Sequence, residues 1–510
     1  MILPNTSAAM FTARRIVHAK EIWRDSECAT DSPLENYAYC VPRSIDPPDM
    51  YASDSRECAA DRYGGVGVGY CGGSARCGTL ENIQIKGIGL TPLFAQAEGQ
   101  PPDIWHSTGT ITMQDAIREA IWSSICSSAL PFGAVRSEGI VLTGSATFAS
   151  LLDKEETPRA LLLREPSIRP AHFLRNVFFP RAVIAERQLI SDAERTVAAI
   201  CSMPDMLVRL LRLARTSSLT EIVNESLVEI VRRFAAQIGA AFSKRIFHRA
   251  LTCSNISLDG KYVDFGVMTA VSSYRRLAGA PSPGGPDQWN QHLNLLQTVT
   301  GLRAHVARYL KDVRVSELIE TKALLGLFGH EINRCMENEF LKLLGFSEVE
   351  VSGAPRAVKH KAFQCMREIY SRGATERFAS RNPTDPEAAF LTPIVQVGRY
   401  DLNRLITKSS SADTDEVFAN IVDAEVDDRA LAARFCDVYK ELRCYHRSIV
   451  DLSRWAEVDQ SRRLAAERRN ADISFLEHGA VDFAVSQLKS EMVASYIKST
   501  VTSALAIMKY

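Results

Sequence analysis

No stretch of this sequence approaches the ~18 to 20 apolar residues that a membrane-spanning helix requires, and the opening MILPNTSAAMFTARR carries no hydrophobic signal-peptide run. The expected address is therefore cytoplasmic. Surplus charge is missing as well: Lys and Arg together number 60, and so do Asp and Glu. That balance removes the electrostatic excess a general nucleic-acid or anionic-membrane binder needs. The densest basic run, Arg462, Arg463, Arg468 and Arg469, is interleaved with Glu457, Asp459 and Glu467 and reads as a solvated helix face. Twelve cysteines are scattered with no CxxC pair and no Cys/His cluster at zinc spacing. Reduced thiols are expected, with Cys71 and Cys77 as the pair where a redox link would matter. The GxxxxGK[ST] phosphate loop is absent, and HExxH fails because His330-Glu331 is followed by Ile332, Asn333 and Arg334. No internal repeat is visible.

What is present is an ordinary globular composition, 46% hydrophobic and 24% charged, over 510 residues. At ~150 residues per domain this predicts two to four folding units. Residues 1–58, rich in Pro, Ser, Asp and Cys without sustained periodicity, read as an irregular extension. From 59 to 166 the chain has glycine-rich turns, short β-like runs and one helix, the composition of a small mixed lobe. From 167 to 510 it reads as mostly helical, with a hairpin over 248–266.

Within the mixed lobe, Asn82 to Lys86 alternates so that Ile83 and Ile85 share one face of a strand and Lys86 takes the other. Thr112 and Asp115 form a capping-box start, and Met113, Ala116, Ile117, Ala120 and Ile121 recur at helical spacing, predicting a helix over 113–127. Gly139 to Gly144 and Arg159 to Arg164 predict two further strands, the second buried on both faces. Beyond them, Ile222, Val223, Leu227, Ile230, Val231, Phe234, Ile238 and Phe242 mark a core helix running to about His248. Asp259-Gly260 then turns a hairpin over 256–266. The APSPGGP cluster at 280–286 and the polar stretches near 381–387 and 408–415 predict loops.

Three features converge on phosphate chemistry. The glycine-rich segment from Gly64 to Arg76 supplies backbone amides and a guanidinium suited to phosphate oxygens. A strand lysine, Lys86, precedes a helical glutamate, Glu119, at a spacing that permits the ion pair by which kinase-like folds aim a lysine at nucleotide phosphates. Asn255 and Asp264, at the two ends of the hairpin, offer oxygen ligands to one Mg²⁺, and Asp264 opens an Asp-Phe-Gly tripeptide.

These residues resemble the SelO (selenoprotein O) family of protein adenylyltransferases. Ile85 to Pro92 looks like the family's KGxGxTP signature and Ala116 to Glu119 like its SIRE helix, while Gly73 and Arg76 fall where its GDGR loop belongs. Gly109 matches the glycine of its DGR segment, and Arg164 and Arg169 resemble its later phosphate-binding arginines. His248, Asn255 and Asp264 follow its HGxxNTDN and DYGP block in order and spacing, and Trp289-Asn290 with Leu293 and Leu296 is similar to its WNLxRL helix. The likeness is dense over about 60–300 and thin elsewhere.

The resemblance implies an α+β, protein-kinase-like two-lobed fold: a small β-rich N-lobe and a large helical C-lobe with extra C-terminal helices. It implies ATP bound in an inverted pose and AMP transferred, with Mg²⁺ or Mn²⁺ held by Asn255 and Asp264. Nucleotide contacts would come from Gly73, Arg76, Lys86, Gly109, Arg164 and Arg169, and Glu119 would position Lys86. The pattern departs from the family at Thr108 and Thr110, in place of the DGR aspartate and arginine, and at Ser254, in place of the general-base aspartate. Loss of a base costs ~10²- to 10⁴-fold when a hydroxyl nucleophile must be deprotonated. A carboxylate, with a reference pKa of ~4, needs no base. Two expectations follow. One is a nucleotidyltransferase that activates a peptide or small-molecule carboxylate as an adenylate, working with a partner enzyme, as in maturation of a siderophore-carrying microcin. The other is an inactive nucleotide-binding pseudokinase that acts as a scaffold.

Overall fold

The computed structural model of the chain describes residues 4–95, 108–147, 156–177, 179, 191–214, 218–271, 292–343, 352–353, 355–371, 434, 437, 441 and 473–508. The loop at 280–286, Trp289-Asn290, the stretches 381–387 and 408–415 and the Arg462–Arg469 run lie outside them. The chain is a mixed α+β protein with a large antiparallel sheet and, among the described residues, eight α-helices.

The nine-stranded sheet begins inside the segment that the sequence predicted to be irregular. β1 (Ala8–Ile16), β2 (Lys20–Arg24), β3 (Tyr39–Cys40) and β4 (Tyr51–Asp61) precede β5 (Cys77–Leu80), β6 (Ile83–Lys86), β7 (Ile111–Thr112), β8 (Ser137–Thr147) and β9 (Thr157–Arg164). β1 and β4 pair antiparallel from Ala8 opposite Asp61 to Ile16 opposite Tyr51. The expectation failed because β4, YASDSRECAAD, turns only Cys58 and Ala60 fully inward and exposes an unbroken polar run from Ser53 to Glu57. An alternation carried by so few small residues falls below the periodic signal.

The strand order is β2-β8-β9-β6-β5-β4-β1-β3, with β7 on β9. β1 and β2 are thus six strands apart in the sheet, about 29 Å if it were flat, yet they are joined by residues 17–19 alone, which reach about 14 Å. The sheet must curl. Its concave side encloses Ala13, Ile16, Leu34, Tyr39, Cys58, Ile83, Ile85, Val141, Leu161 and Leu163. On the other side Ala160, Leu162 and Ile140 pack against α1 (Met113–Ala129) through Ile117, Ala120, Ile121 and Trp122. β9 is buried on both faces for this reason. α1 opens on a complete capping box, Thr112 accepting from the Asp115 amide and Asp115 accepting from the Thr112 amide.

One end of the sheet is closed by a buried ionic knot. Arg159, fully buried, sends Nη1 to within 3.5 Å of Asp46 Oδ1 and Nη2 to 3.1 Å from Cys40 Sγ, while Arg43 and the Tyr51 hydroxyl also bond Asp46. Burial opposes the charge on Asp46, but the bonds from Arg43 and Tyr51 and the field of Arg159 hold its carboxyl below its ordinary value. A depressed carboxyl contributes stability that is complete above the unfolded value near 3.8 and lost as pH falls through the folded one. Asp46→Asn is therefore expected to flatten the acid limb of a stability profile below pH ~4 while lowering stability at neutral pH; urea midpoints measured across that range check it.

The helices α2 (Asp192–Leu211), α3 (Leu219–Ser243), α4 (Leu293–Tyr309), α5 (Thr321–Leu343) and α6 (Arg356–Ser371) follow, and α7 (His478–Ser486) and α8 (Val493–Met508) return to pack on α1. α3 buries Val223, Leu227, Ile230, Val231, Phe234, Ile238 and Phe242 and stops at Ser243, not near His248, because the chain then enters a short pair of strands, β10 (Ile246–Phe247) and β11 (Thr269–Ala270). No described helix is long and apolar enough to cross a membrane.

Candidate functional site

Strand register lays out the site. Thr79 lies opposite Gln84 and Gln84 opposite Arg164, while Cys77 lies opposite Lys86 and Lys86 opposite Leu162. Residues two apart on a strand share a face. Cys77, Gln84, Lys86 and Arg164 therefore share the face that α1 covers, and Ile83 and Ile85 point to the opposite side, as the alternation at 82–86 predicts.

Lys86 Nζ is buried against Glu119 Oε1 and lies 2.6 Å from Asp264 Oδ1. Arg164 Nη1 approaches Glu119 Oε2 at 3.6 Å. Lys86 and Glu119 are 2% and 3% exposed, whereas Asp264 is 32% exposed, so one member of the cluster still faces solvent. Burial disfavours the charge on Asp264, yet Lys86, Arg76 and Arg164 outweigh it and hold its carboxyl well below the usual carboxylate range. Glu119 moves the other way: burial, with Asp264 beside it, raises it despite Lys86 and Arg164. Asp264 adopts φ 68, in the left-handed region that non-glycine residues seldom occupy.

The predicted hairpin is present in reduced form. A single bridge joins Ile256 and Tyr262, Gly260 turns the chain, and the Val263 amide donates to Asn255 O at 3.0 Å. This last bond sets Asn255 directly across from the residue before Asp264. Asn255 Nδ2 donates to Ala250 O at 2.8 Å, which leaves Oδ1 as its remaining polar atom. His248, fully buried, bonds Val263 O through Nε2 at 2.9 Å and packs on Tyr262 and Phe265, bracing the same turn. Burial lowers its pKa, so it is a neutral brace.

Two oxygens, an ionised Asp264 carboxylate and Asn255 Oδ1, suit Mg²⁺, which keeps waters and phosphate oxygens for the rest of its shell. Among the described residues no group of three or more His, Cys, Asp or Glu forms a metal cage, so a cation here would depend on ligand oxygens.

Ser254 Oγ lies 3.0 Å from Thr252 Oγ1 and donates to Asn255 Oδ1 at 3.3 Å; among the described residues no carboxylate bonds it. Arg169 reaches this loop, Nη1 donating to Ser254 O at 2.8 Å, with its guanidinium over the Tyr63 ring. Arg76, at the entry to β5, faces Asp264 closely enough to lower its pKa.

The glycines have structural reasons. A Cβ on Gly73 would sit 2.1 Å from Asp61 O, and one on Gly109, at φ 67, would sit 2.3 Å from the Leu90 nitrogen. Both allow backbone to close on backbone, Gly109 O accepting from the Gly89 amide at 3.0 Å. The run from Gly64 to Gly69 lies against the 252–254 loop, with Cys253 Sγ 3.1 Å from Val66 O. No disulfide joins Cys71 and Cys77: Cys77 is a buried thiol, and Cys71 Sγ lies 3.9 Å from Ala95 O.

Sequence reasoning missed Asp61, Gln84 and His172. Gln84 Nε2 donates to Asp61 Oδ2 at 3.0 Å and Gln84 Oε1 accepts from Arg164 Nε at 2.8 Å and Arg169 Nη2 at 3.4 Å. His172 Nε2 stands 3.9 Å from Asp61 Oδ2. The only signal in the sequence was position: Gln84 lies two residues before Lys86 and must share its face. No protein-family model and no curated protein matches the chain.

Proposed function

We propose that the chain binds ATP with a divalent cation in a kinase-like cleft between its curled sheet and its helical part, and transfers AMP to a carboxylate acceptor. The observation that carries this reading is the convergence of Lys86, Glu119, Arg164 and Asp264, from β6, α1, β9 and the hairpin, on one buried ionic cluster with a single solvent-facing carboxylate. Lys86, Arg76, Arg164 and Arg169 supply positive charge for a polyphosphate, and Asn255 and Asp264 would hold Mg²⁺ or Mn²⁺. The cation, when bound, neutralises phosphate charge and steadies the leaving pyrophosphate. Glu119 fixes the Lys86 ammonium, and Arg169 fixes the 252–255 loop.

The acceptor class follows from Ser254. Its hydroxyl has Thr252 and Asn255 as neighbours, and neither can take a proton at neutral pH. An acceptor that is already an anion removes that requirement: a carboxylate oxygen bonds the α-phosphorus, the bond to the bridging oxygen breaks, and pyrophosphate leaves with the electron pair. A peptide or small-molecule acid, passed on to a partner enzyme as its adenylate, fits this chemistry. The second reading is a nucleotide-binding scaffold without turnover, favoured by the engagement of Asp264 with Lys86.

Pyrophosphate release separates the two readings. The chain, supplied with Mg·ATP and a panel of carboxylic acids and alcohols, is expected to release pyrophosphate with acids only, and Asp264→Ala is expected to lose ~10²-fold or more of that rate. Release with alcohols alone would refute the carboxylate assignment, and tight ATP binding with no release from any acceptor would leave the scaffold.

A further inference from the structure

We infer that Gln84 determines how many phosphates the site accepts, by holding Arg164 and Arg169 side by side without adding a carboxylate to them. This rests on the nucleotide reading above and adds a residue to it. The orientation of the Gln84 amide is settled by chemistry. A guanidinium only donates, so the atom facing Arg164 and Arg169 must be Oε1. An ionised carboxylate only accepts, so the atom facing Asp61 must be Nε2. Asp61 is ionised: burial opposes its charge, but His172, Arg169 and Arg164 lower its carboxyl below its ordinary value. Partners on both sides therefore lock one rotamer of a side chain that is 1% exposed.

The consequence is electrostatic. Two guanidinium groups converge on one neutral oxygen, where a carboxylate would also accept from both but would add a negative charge beside Asp61. Arg169 carries that charge to the 252–255 loop through Ser254 O, and Arg164 carries it toward Glu119 and Asp264. A triphosphate gains from two cations to which residue 84 adds no carboxylate beyond those of Asp61 and Glu119, and a monophosphate that does not extend to them does not.

Isothermal titration of the wild-type chain, Gln84→Glu and Gln84→Leu with Mg·ATP and with AMP tests this. Gln84→Glu keeps an acceptor for both arginines but turns a second oxygen toward Asp61 Oδ2, so melting temperatures check that it folds, and Gln84→Leu supplies a variant without added charge. Both variants are expected to bind Mg·ATP about 10- to 100-fold more weakly, the worth of one or two charge-assisted hydrogen bonds, with AMP affinity unchanged within about 2-fold. A merely structural glutamine would give Gln84→Glu wild-type affinity for Mg·ATP, or weaken both ligands together in Gln84→Leu; either result overturns the inference while the nucleotide reading stands. Wild-type chain that binds neither ligand overturns both.

Discussion

Lys86→Met is expected to destabilise the chain by about 3–5 kcal/mol, the cost of breaking a buried ion pair by removing one partner. Lys86 is 2% exposed and is the direct partner of two carboxylates, one of them on Glu119, which is 3% exposed. Without the ammonium, Glu119 retains Arg164 at 3.6 Å and faces Asp264 with no cation between them. Its route out is protonation, which burial and Asp264 already favour. A carboxyl whose folded pKa is raised contributes stability that is present below its unfolded value and lost as pH rises through the folded one. The Lys86→Met deficit should therefore be smaller at pH 5 than at pH 8. Glu119→Gln placed on the same background should recover much of it, because the stranded charge is gone. Denaturant midpoints at the two pH values measure this, and a deficit that grows toward acid pH contradicts the assignment of Glu119 as the stranded group.

The second large effect is expected at Arg118, the residue before Glu119. Its guanidinium bonds Asp115 at 3.0 Å, Gly266 O at 3.3 Å, and Asp482 on α7. His478 adds its own bonds from α7, through its amide to Thr269 Oγ1 at 3.0 Å, through Nε2 to Gly266 O at 3.2 Å and through Nδ1 to Asp482 at 2.8 Å. One C-terminal helix thus grips both the helix that carries Glu119 and the turn that carries Asp264. Asp482 is 37% exposed, which discounts the ion pair itself. The cost of Arg118→Ala comes mainly from the lost bonds at the buried end of the guanidinium, about 1.5–3 kcal/mol. Hydrogen exchange should show lost protection over 478–508 and 264–271 together, with β1 and β4 unaffected. Loss confined to the C-terminal helices would mean that α7 does not brace the Asp264 turn.

Much of this architecture is legible in the sequence wherever one residue type dictates one local outcome. Thr112 and Asp115 specify a helix start, RALLLR a doubly buried strand, and the Ile83/Ile85 alternation sends Lys86 to the face where Glu119 waits. The strands β1 and β4 are not legible, because all but one of their buried residues, Ala9, Ala13, Ile16, Cys58 and Ala60, are alanine or cysteine. Pairing partners far apart in sequence, Ala8 with Asp61 and Lys20 with Leu142, supply the order that local pattern lacks. Gln84 and Asp61 are ordinary polar residues until strand register brings them onto the arginines. The Gly64–Gly69 run, whose composition suggests a phosphate cradle, also has a packing role that composition does not show: the Gly64 and Val66 carbonyls rest on Cys253.

The central claim is that Asp264 and its cluster receive a metal-bound nucleotide. Isothermal titration of the chain with ATP, in Mg²⁺ and then in excess chelator, tests it most directly. The account predicts saturable binding that requires Mg²⁺ and is lost in Asp264→Ala, a variant that keeps the Lys86–Glu119 pair and so keeps its fold. Absence of binding to the folded wild-type chain, or binding indifferent to both the metal and Asp264, would contradict it.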